Sequence, residues 1–303
     1  MKLATTTGDF GQYCSTYLER IQHVHEAGFR YIDLCMYDVR PGEELLDNDN
    51  WLDTVKTIKE YASQHDIKFV QAHGPNVNPL AGDEAFEIAV RRATRAIEVC
   101  GQLGIPNMVI HPGWDRSITK EEWFEKNREF FRILFPVMEE NQVNVLHENT
   151  TSVNMSWYFP KTGAEMKEFA EYVNHPLFHA CWDTGHANCE GNQYQEILDI
   201  GKELYALHVN DNRGMQDEHL IPFMGTMNMD EVMHALIDMG YKGYFTLECS
   251  SSLRSQNYWL GHRRSFEKDQ RLVNPPLCLQ KEMERFMYQT GKYILDMYGV
   301  FEE

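Results

Sequence analysis

Short apolar, β-branched runs alternate with longer stretches in which apolar residues recur every third or fourth position, and the alternation persists along the chain. "KLATTT" opens as a strand, and "TYLERIQHVHEAG" follows with helical spacing and a glycine stop signal. "YIDLCMY" reads as a second strand. "WLDTVKTIKEYASQH" reads as its helix, with cap candidates in the stretch Asp47 to Asn50. "KFVQAHG" and "EAFEIAVRRATRAIEVCGQLG" make the third unit. "NMVIHPG" and "EEWFEKNREFFRILFPVMEEN", with Pro136 inside it, make the fourth. "VNVLHENT" with "AEMKEFAEYVN", "FHACWDTGH" with "YQEILDIGKEL", and "YALHVND" with "MDEVMHALIDMG" follow. "GYFTLEC" and "LQKEMERFMYQTGKYILDMYG" close the series.

Eight strand–helix units in strict alternation predict a parallel sheet, because parallel neighbours need crossover helices. Eight units also predict closure into a single (β/α)8 TIM-type barrel, here with a C-terminal helical extension. No Pro/Gly/Ser-rich linker divides the chain, so residues 1–303 read as one domain. Residues 250–276 form a long excursion between the eighth strand and its helix, a candidate lid or partner contact.

Composition narrows the function classes. The 303 residues carry 28 basic and 46 acidic side chains, a net charge of −18, which argues against nucleic acid and anionic membrane as partners. Seven cysteines without a C-x-x-C pair read as small hydrophobes rather than a disulfide framework or a thiolate zinc site. No run has signal-peptide or membrane-span character, so a soluble cytoplasmic protein is expected, with a homo-oligomer among its candidate assemblies.

The strands end in a restricted set of polar residues. His73, His111, Glu148, Asp183 with His186, His208 and Glu248 stand at the ends of strands three to eight, and Asp217 and His219 follow in the loop after strand seven. Barrel closure would bring all nine to one mouth, where barrel enzymes carry their active sites. So many carboxylates and imidazoles together imply a divalent cation among them. Each also has a plainer reading. His73 and His111 precede glycine or proline and suit hydrogen-bonded turns, Asp183 suits a helix cap, His186 a loop, and Asp217 and His219 a solvated loop. Glu148 and Glu248 resist this, because a charge at the end of a buried strand is paired or metal-bound.

"HPG", "HENT", "DTGH", "LHVND" and "DEHLIPFMGTMNMDEV" together resemble the xylose-isomerase-like barrels, which include sugar isomerases, epimerases and endonuclease IV, over roughly residues 5–250. In the epimerase branch the resemblance implies one metal held by Glu148, Asp183, His208 and Glu248, with His186 and Arg213 on substrate oxygens. In the endonuclease branch it implies a trinuclear zinc cluster that adds His73, His111, His186, Asp217 and His219. The ligand types fit both branches. The charge and the scarcity of Lys and Arg in the strand-end loops favour the sugar branch, as do Trp114, Trp157, Tyr158 and Trp182 for sugar faces. The expected activity is a metal-dependent (Mn, Zn, Co or Mg) isomerase or epimerase acting beside the carbonyl of a ketose or related polyol, with Glu148 and Glu248 as the catalytic pair. The alternative is zinc-dependent phosphodiester hydrolysis, which calls for a basic groove.

Overall fold

The computed structural model describes residues 1–37, 43–155, 158–250, 252–253 and 275–303. Its strands are β1 (Lys2–Thr6), β2 (Tyr31–Cys35), β3 (Lys68–His73), β4 (Asn107–Val109), β5 (Asn144–Glu148), β6 (Phe178–Asp183), β7 (Leu204–His208) and β8 (Tyr244–Leu247). They pair in the order β7-β6-β5-β4-β3-β2-β1-β8, each neighbouring pair parallel. Val209, just beyond β7, bridges Leu247 of β8 in parallel and closes the ring. Its N–H donates to the Thr246 carbonyl at 2.7 Å, and its own carbonyl accepts from the Glu248 N–H at 3.0 Å. The expected (β/α)8 barrel is therefore the fold.

The helices are α1 (Tyr17–Glu26), α2 (Trp51–Gln64), α3 (Asp83–Leu103), α4 (Lys120–Asn141), α5 (Ser152–Met155), α6 (Gly163–Val173), α7 (Thr184–Asn188), α8 (Tyr194–Ile200), α9 (Met229–Asp238) and α10 (Leu277–Met297). Thr16, Thr119 and Thr162 start α1, α4 and α6 with reciprocal capping boxes to Glu19, Glu122 and Glu165, which satisfies first-turn N–H groups. The cap expected for α2 does not form. Asn50 stands at the cap position with no side-chain bond, and Asp47 instead pairs with Arg92 at 2.7 Å. The sixth helix ends at Ile200, short of "GKEL", and Gly201–Glu203 turns as a 3-10 helix. The C-terminal extension is α10, whose Gly291 lies against Leu3 and Leu247 and so covers the seam between β1 and β8. No described helix is long and apolar enough to cross a membrane. None of the seven cysteines, all among the described residues, forms a disulfide. Most of the 250–276 excursion lies outside the described residues.

The two faces of each strand have different company, as a two-residue period requires. One large apolar cluster fills the shell between strands and helices. A second, small one consists of Val109, Leu146, Cys181 and Ala206, successive contributions of β4 to β7. The other half of the barrel interior is polar. The Gln71 side chain on β3 donates to Asp33 on β2 at 2.8 Å and accepts from Thr246 on β8 at 3.4 Å. Two residues beyond Gln71, Val109, Leu146, Cys181, Ala206 and Thr246 stand His73, His111, Glu148, Asp183, His208 and Glu248. Strand alternation thus lifts the site residues onto the interior floor. Their sequence neighbours turn outward: the His147 ring stacks on Phe178, and Trp182 is fully buried with its indole N–H on Gln193 at 3.3 Å. Trp182 is accordingly a core residue and not the sugar platform expected at the mouth.

Close approach of α6 to α8 requires a residue without Cβ at Gly163. Its N–H donates to the Glu196 carboxylate at 2.6 Å, and an added Cβ would lie 1.8 Å from the Glu196 carbonyl oxygen. Gly163→Ala should destabilise the fold by about 1–3 kcal/mol, the usual cost of overpacking. Urea unfolding at equilibrium measures it, and an unchanged midpoint would contradict the packing described.

Candidate metal centre

Eight of the nine residues expected at the mouth fall into three donor groups, two of which share Glu148 and His208, and His111 joins them through Glu148. The ligand atoms of Glu148, Asp183, His208 and Glu248 all lie within 4.8 Å of one another, as do those of His73, Glu148 and His208, and those of His186, Asp217 and His219. Glu148 is the hub. One of its oxygens is 2.9 Å from His208 Nδ1, and the other is 2.8 Å from His111 Nε2 and 3.8 Å from His73 Nε2. His208 Nδ1 also faces Glu248 at 3.5 Å. His186 and His219 flank Asp217, their Nε2 atoms 3.2 and 3.1 Å from one carboxylate oxygen.

The ring orientations are set by backbone. The Nδ1 atoms of His73, His186 and His219 lie 3.1, 2.8 and 3.0 Å from the carbonyls of Gly74, Asn149 and Glu248. A proton held there leaves Nε2 as the ring atom that faces the carboxylates, the arrangement that orients metal-binding imidazoles. His219 adopts a left-handed φ of 48° to reach this position.

In "CWDTGH" the helix-cap reading holds, and the capping carboxylate also stands in the donor group with Glu148, His208 and Glu248. One Asp183 oxygen caps α7 by accepting the His186 N–H at 2.6 Å, and the other accepts from the Asn210 side chain at 2.7 Å. Gly185 carries no left-handed φ. It is needed because an added Cβ would sit 1.8 Å from the Asn210 side-chain oxygen, so close approach rather than a sharp turn explains it. Asn149 clamps the same strand end, accepting the Asp183 N–H at 2.6 Å and donating to its carbonyl at 2.9 Å. Asn149 and Asn210 stand inside "HENT" and "LHVND", but sequence reasoning took only the charged members of those motifs. Tyr37, also missed, sets its ring edge-on against His73 and His111 with centroids 4.9 and 5.7 Å away.

Arg213, in the loop after β7, is engaged by a carboxylate outside the three groups. Its guanidinium pairs with Glu218, whose other oxygen accepts the Arg213 N–H at 2.9 Å. Of the aromatics expected at the mouth, Trp114 is partly exposed, Tyr158 is buried with its hydroxyl on the Pro112 carbonyl, and Trp157 lies outside the described residues.

Burial makes these groups compete for charge. It works to raise the Glu148 carboxyl, but the His208 and His111 charges and their hydrogen bonds outweigh it and hold Glu148 well below the usual carboxylate range. Glu248 goes the other way. Burial lifts it, His208 and His219 offset only part of that, and it settles at about 7. Burial also raises Asp183, against the pull of His186. His73 is driven well down by burial and by the neighbouring His111 and His208, so its ring is neutral. Burial disfavours charge on His219 as well, yet Asp217 overrides it and lifts the ring to about 10. The donor set fits a divalent cation. Three carboxylates around one imidazole form a buried excess of negative charge that only a cation or protons can neutralise.

The sign of the His219 shift gives a test. A ring raised in the folded state adds stability below its unfolded pKa, near 6.5, and loses it as pH rises through the folded value of about 10. Chelator-stripped protein should therefore lose stability between those limits, and His219→Asn should flatten that slope. Thermal melts across the range measure it, and equal slopes for the two proteins would contradict the pairing with Asp217.

The comparisons agree with this architecture. A family profile described as "Xylose isomerase-like TIM barrel" matches residues 21–270. An uncharacterised protein of Methanocaldococcus jannaschii is 25% identical over 205 residues, 64% of this chain and 68% of that one. Fructoselysine 3-epimerase of Escherichia coli O157:H7 is 45% identical over a short stretch of 49 residues, 16% of this chain and 18% of its own. A probable endonuclease 4 of Citrifermentans bemidjiense is 30% identical over 130 residues, 38% of this chain and 44% of its own. Among solved structures, D-psicose 3-epimerase of Clostridium cellulolyticum H10, crystallised with D-tagatose, superposes with a TM-score of 0.73 at 18% identity, covering 97% of this chain and 99% of its own. An IolI protein with a bound zinc atom superposes with a TM-score of 0.72 at 18% identity, covering 98% and 99%. With eight parallel strands closed into a ring and a profile match over most of its length, the chain belongs to the xylose isomerase-like TIM barrel family.

Proposed function

We propose that this protein is a divalent-metal-dependent sugar isomerase or epimerase that moves a proton at the carbon beside the carbonyl of a ketose or related polyol. The observation that carries the reading is the unequal pair of glutamates. Glu148 and Glu248 both face His208 Nδ1, at 2.9 and 3.5 Å, but Glu148 is also held by His111 at 2.8 Å while Glu248 has, among the described residues, only His219 at 3.7 Å, so the two carboxyls differ in the positive charge that faces them. Proton abstraction with return of a proton needs such a pair, one group ready to accept and one ready to donate.

Glu148, Asp183, His208 and Glu248 would hold the ion. A divalent ion there supplies Lewis acidity, drawing charge from the carbonyl so that loss of the neighbouring proton is eased. Glu148 takes the proton from carbon and Glu248 delivers one, to the opposite face or to the adjacent carbon. Asp183 is fixed by Asn210 and by the α7 N-terminus, so it anchors without moving. His186 and Arg213 are the proposed contacts to substrate oxygens, and Arg213 would have to share its guanidinium with Glu218. The comparisons support the sugar class: relatives include a fructoselysine 3-epimerase, and a D-psicose 3-epimerase shares the fold.

A second reading rests on the two further donor groups around His73 and around Asp217, which suit additional zinc ions and phosphodiester hydrolysis. The aligned segment of a probable endonuclease 4 favours it, and the −18 charge opposes it.

Elemental analysis of protein purified without added metal or chelator separates the two. About one divalent ion per chain supports the sugar reading, whereas about three zinc ions would overturn it and send the work to phosphodiester substrates. Incubated with its ketose in heavy water, the wild-type enzyme should place deuterium on the carbon beside the carbonyl. Glu148→Gln should lower turnover by at least about a hundredfold, the scale of a lost general base, with the fold intact. Normal turnover in that variant would remove Glu148 from the role.

A further inference from the structure

His208 is the exception among the oriented histidines. His73, His186 and His219 rest on backbone carbonyls and aim Nε2 inward. His208 is reversed: Nδ1 faces Glu148 and Glu248, while Nε2, which makes no formed hydrogen bond among the described residues, points across the barrel interior to the Asp33 carboxylate of β2, 3.4 Å away. Asp33 is an unusual residue in its own strand. "YIDLC" is otherwise apolar but for its tyrosine hydroxyl, and Asp33 is 1% exposed. Of its two oxygens, Oδ2 accepts the Gln71 amide at 2.8 Å, and Oδ1 has no hydrogen-bond partner among the described residues. Gln71 is itself held, accepting the Thr246 hydroxyl at 3.4 Å and reaching the Leu207 carbonyl at 3.5 Å.

A buried carboxylate with one neutral donor is costly unless a positive group or a strong donor faces it. The His208 ring supplies that group, through a proton on Nε2. A metal-binding imidazole, for its part, must present one bare nitrogen, and a carboxylate on its other nitrogen both fixes the tautomer and makes the ring a stronger donor. Each residue meets the other's requirement, and neither has a use for the other in packing alone.

We infer that Asp33 is the positioning residue of His208: its carboxylate, aimed by Gln71 and Thr246, holds the proton on Nε2 so that Nδ1 is presented to the carboxylate cluster. The inference rests on the reading of that cluster as a metal site. Asp33 touches neither substrate nor ion. It acts through His208, and it shares the floor layer that lies one strand period beneath the cluster.

Asp33→Asn is the informative variant, because it keeps shape and acceptor capacity while removing the charge. Asp33→Leu removes the acceptor as well. We expect zinc or cobalt(II), titrated against a competing chelator, to bind Asp33→Asn about 10–100-fold more weakly than wild type, the usual penalty for losing an outer partner of a ligand histidine. Asp33→Leu should be weaker still. Melts of the metal-free proteins show whether each variant is folded. Nitrogen-15 NMR of the His208 ring is read in parallel, and wild type should carry its proton on Nε2 with and without metal. Equal affinity in wild type and Asp33→Asn, or a bare Nε2 in wild type, overturns the inference while leaving the metal site standing. A wild-type chain that binds neither ion overturns the proposed function instead, and the ring proton then decides the role of Asp33 alone.

Discussion

Burial of opposite charges in one place is the constraint around which this molecule is organised. Glu148, Asp183, Asp217 and Glu248 share the mouth with His73, His111, His186, His208 and His219; His73, Glu148, Asp183 and His208 are buried and the other five are partly so. No such set is stable as isolated ions. It persists because the charges alternate in space. Glu148 lies between His111 and His208, and Asp217 between His186 and His219, while the remaining carboxyls are left short of positive charge. That shortage is what makes the pair Glu148 and Glu248 unequal, and it is also what a divalent cation would relieve.

The barrel makes this compensation possible by dividing labour between its layers. The outer shell of apolar side chains holds strands to helices. The interior floor is half apolar, from β4 to β7, and half polar, from β2, β3 and β8. The charged layer stands on that floor. Because strands alternate with a period of two, a single residue step separates the shell from the interior. His147 and Glu148 are neighbours in sequence, yet one stacks on Phe178 in the shell and the other is the hub of the site. Asn149 and Asn210 then lock the strand ends, so that Asp183 is held at three points before any ligand arrives.

Such rigidity suits proton transfer. A donor and an acceptor on carbon must keep their separation through the reaction, and groups that are already bound and buried have little to reorganise. The polar line from Thr246 through Gln71 and Asp33 reaches His208, whose ring rests on no backbone carbonyl among the described residues.

The alternation of strand and helix runs determined the number and order of the units, and with them the parallel barrel, because local periodicity records which faces of each element are buried. The charged strand ends were equally legible, since a Glu after "YFTL" or a "DTGH" after an apolar run is an anomaly that needs no neighbour to be seen. What the sequence did not disclose was pairing across the barrel. Asp33 lies in the middle of a strand and Gln71 two residues before a histidine, and neither differs in local pattern from a residue facing solvent. Whether Trp182 faces sugar or core, whether Gly185 serves a turn or a close approach, and which oxygen meets which ring depend on residues tens of positions away. Those relations exist only once the eight strands are closed into one ring, and only the tertiary structure decided them.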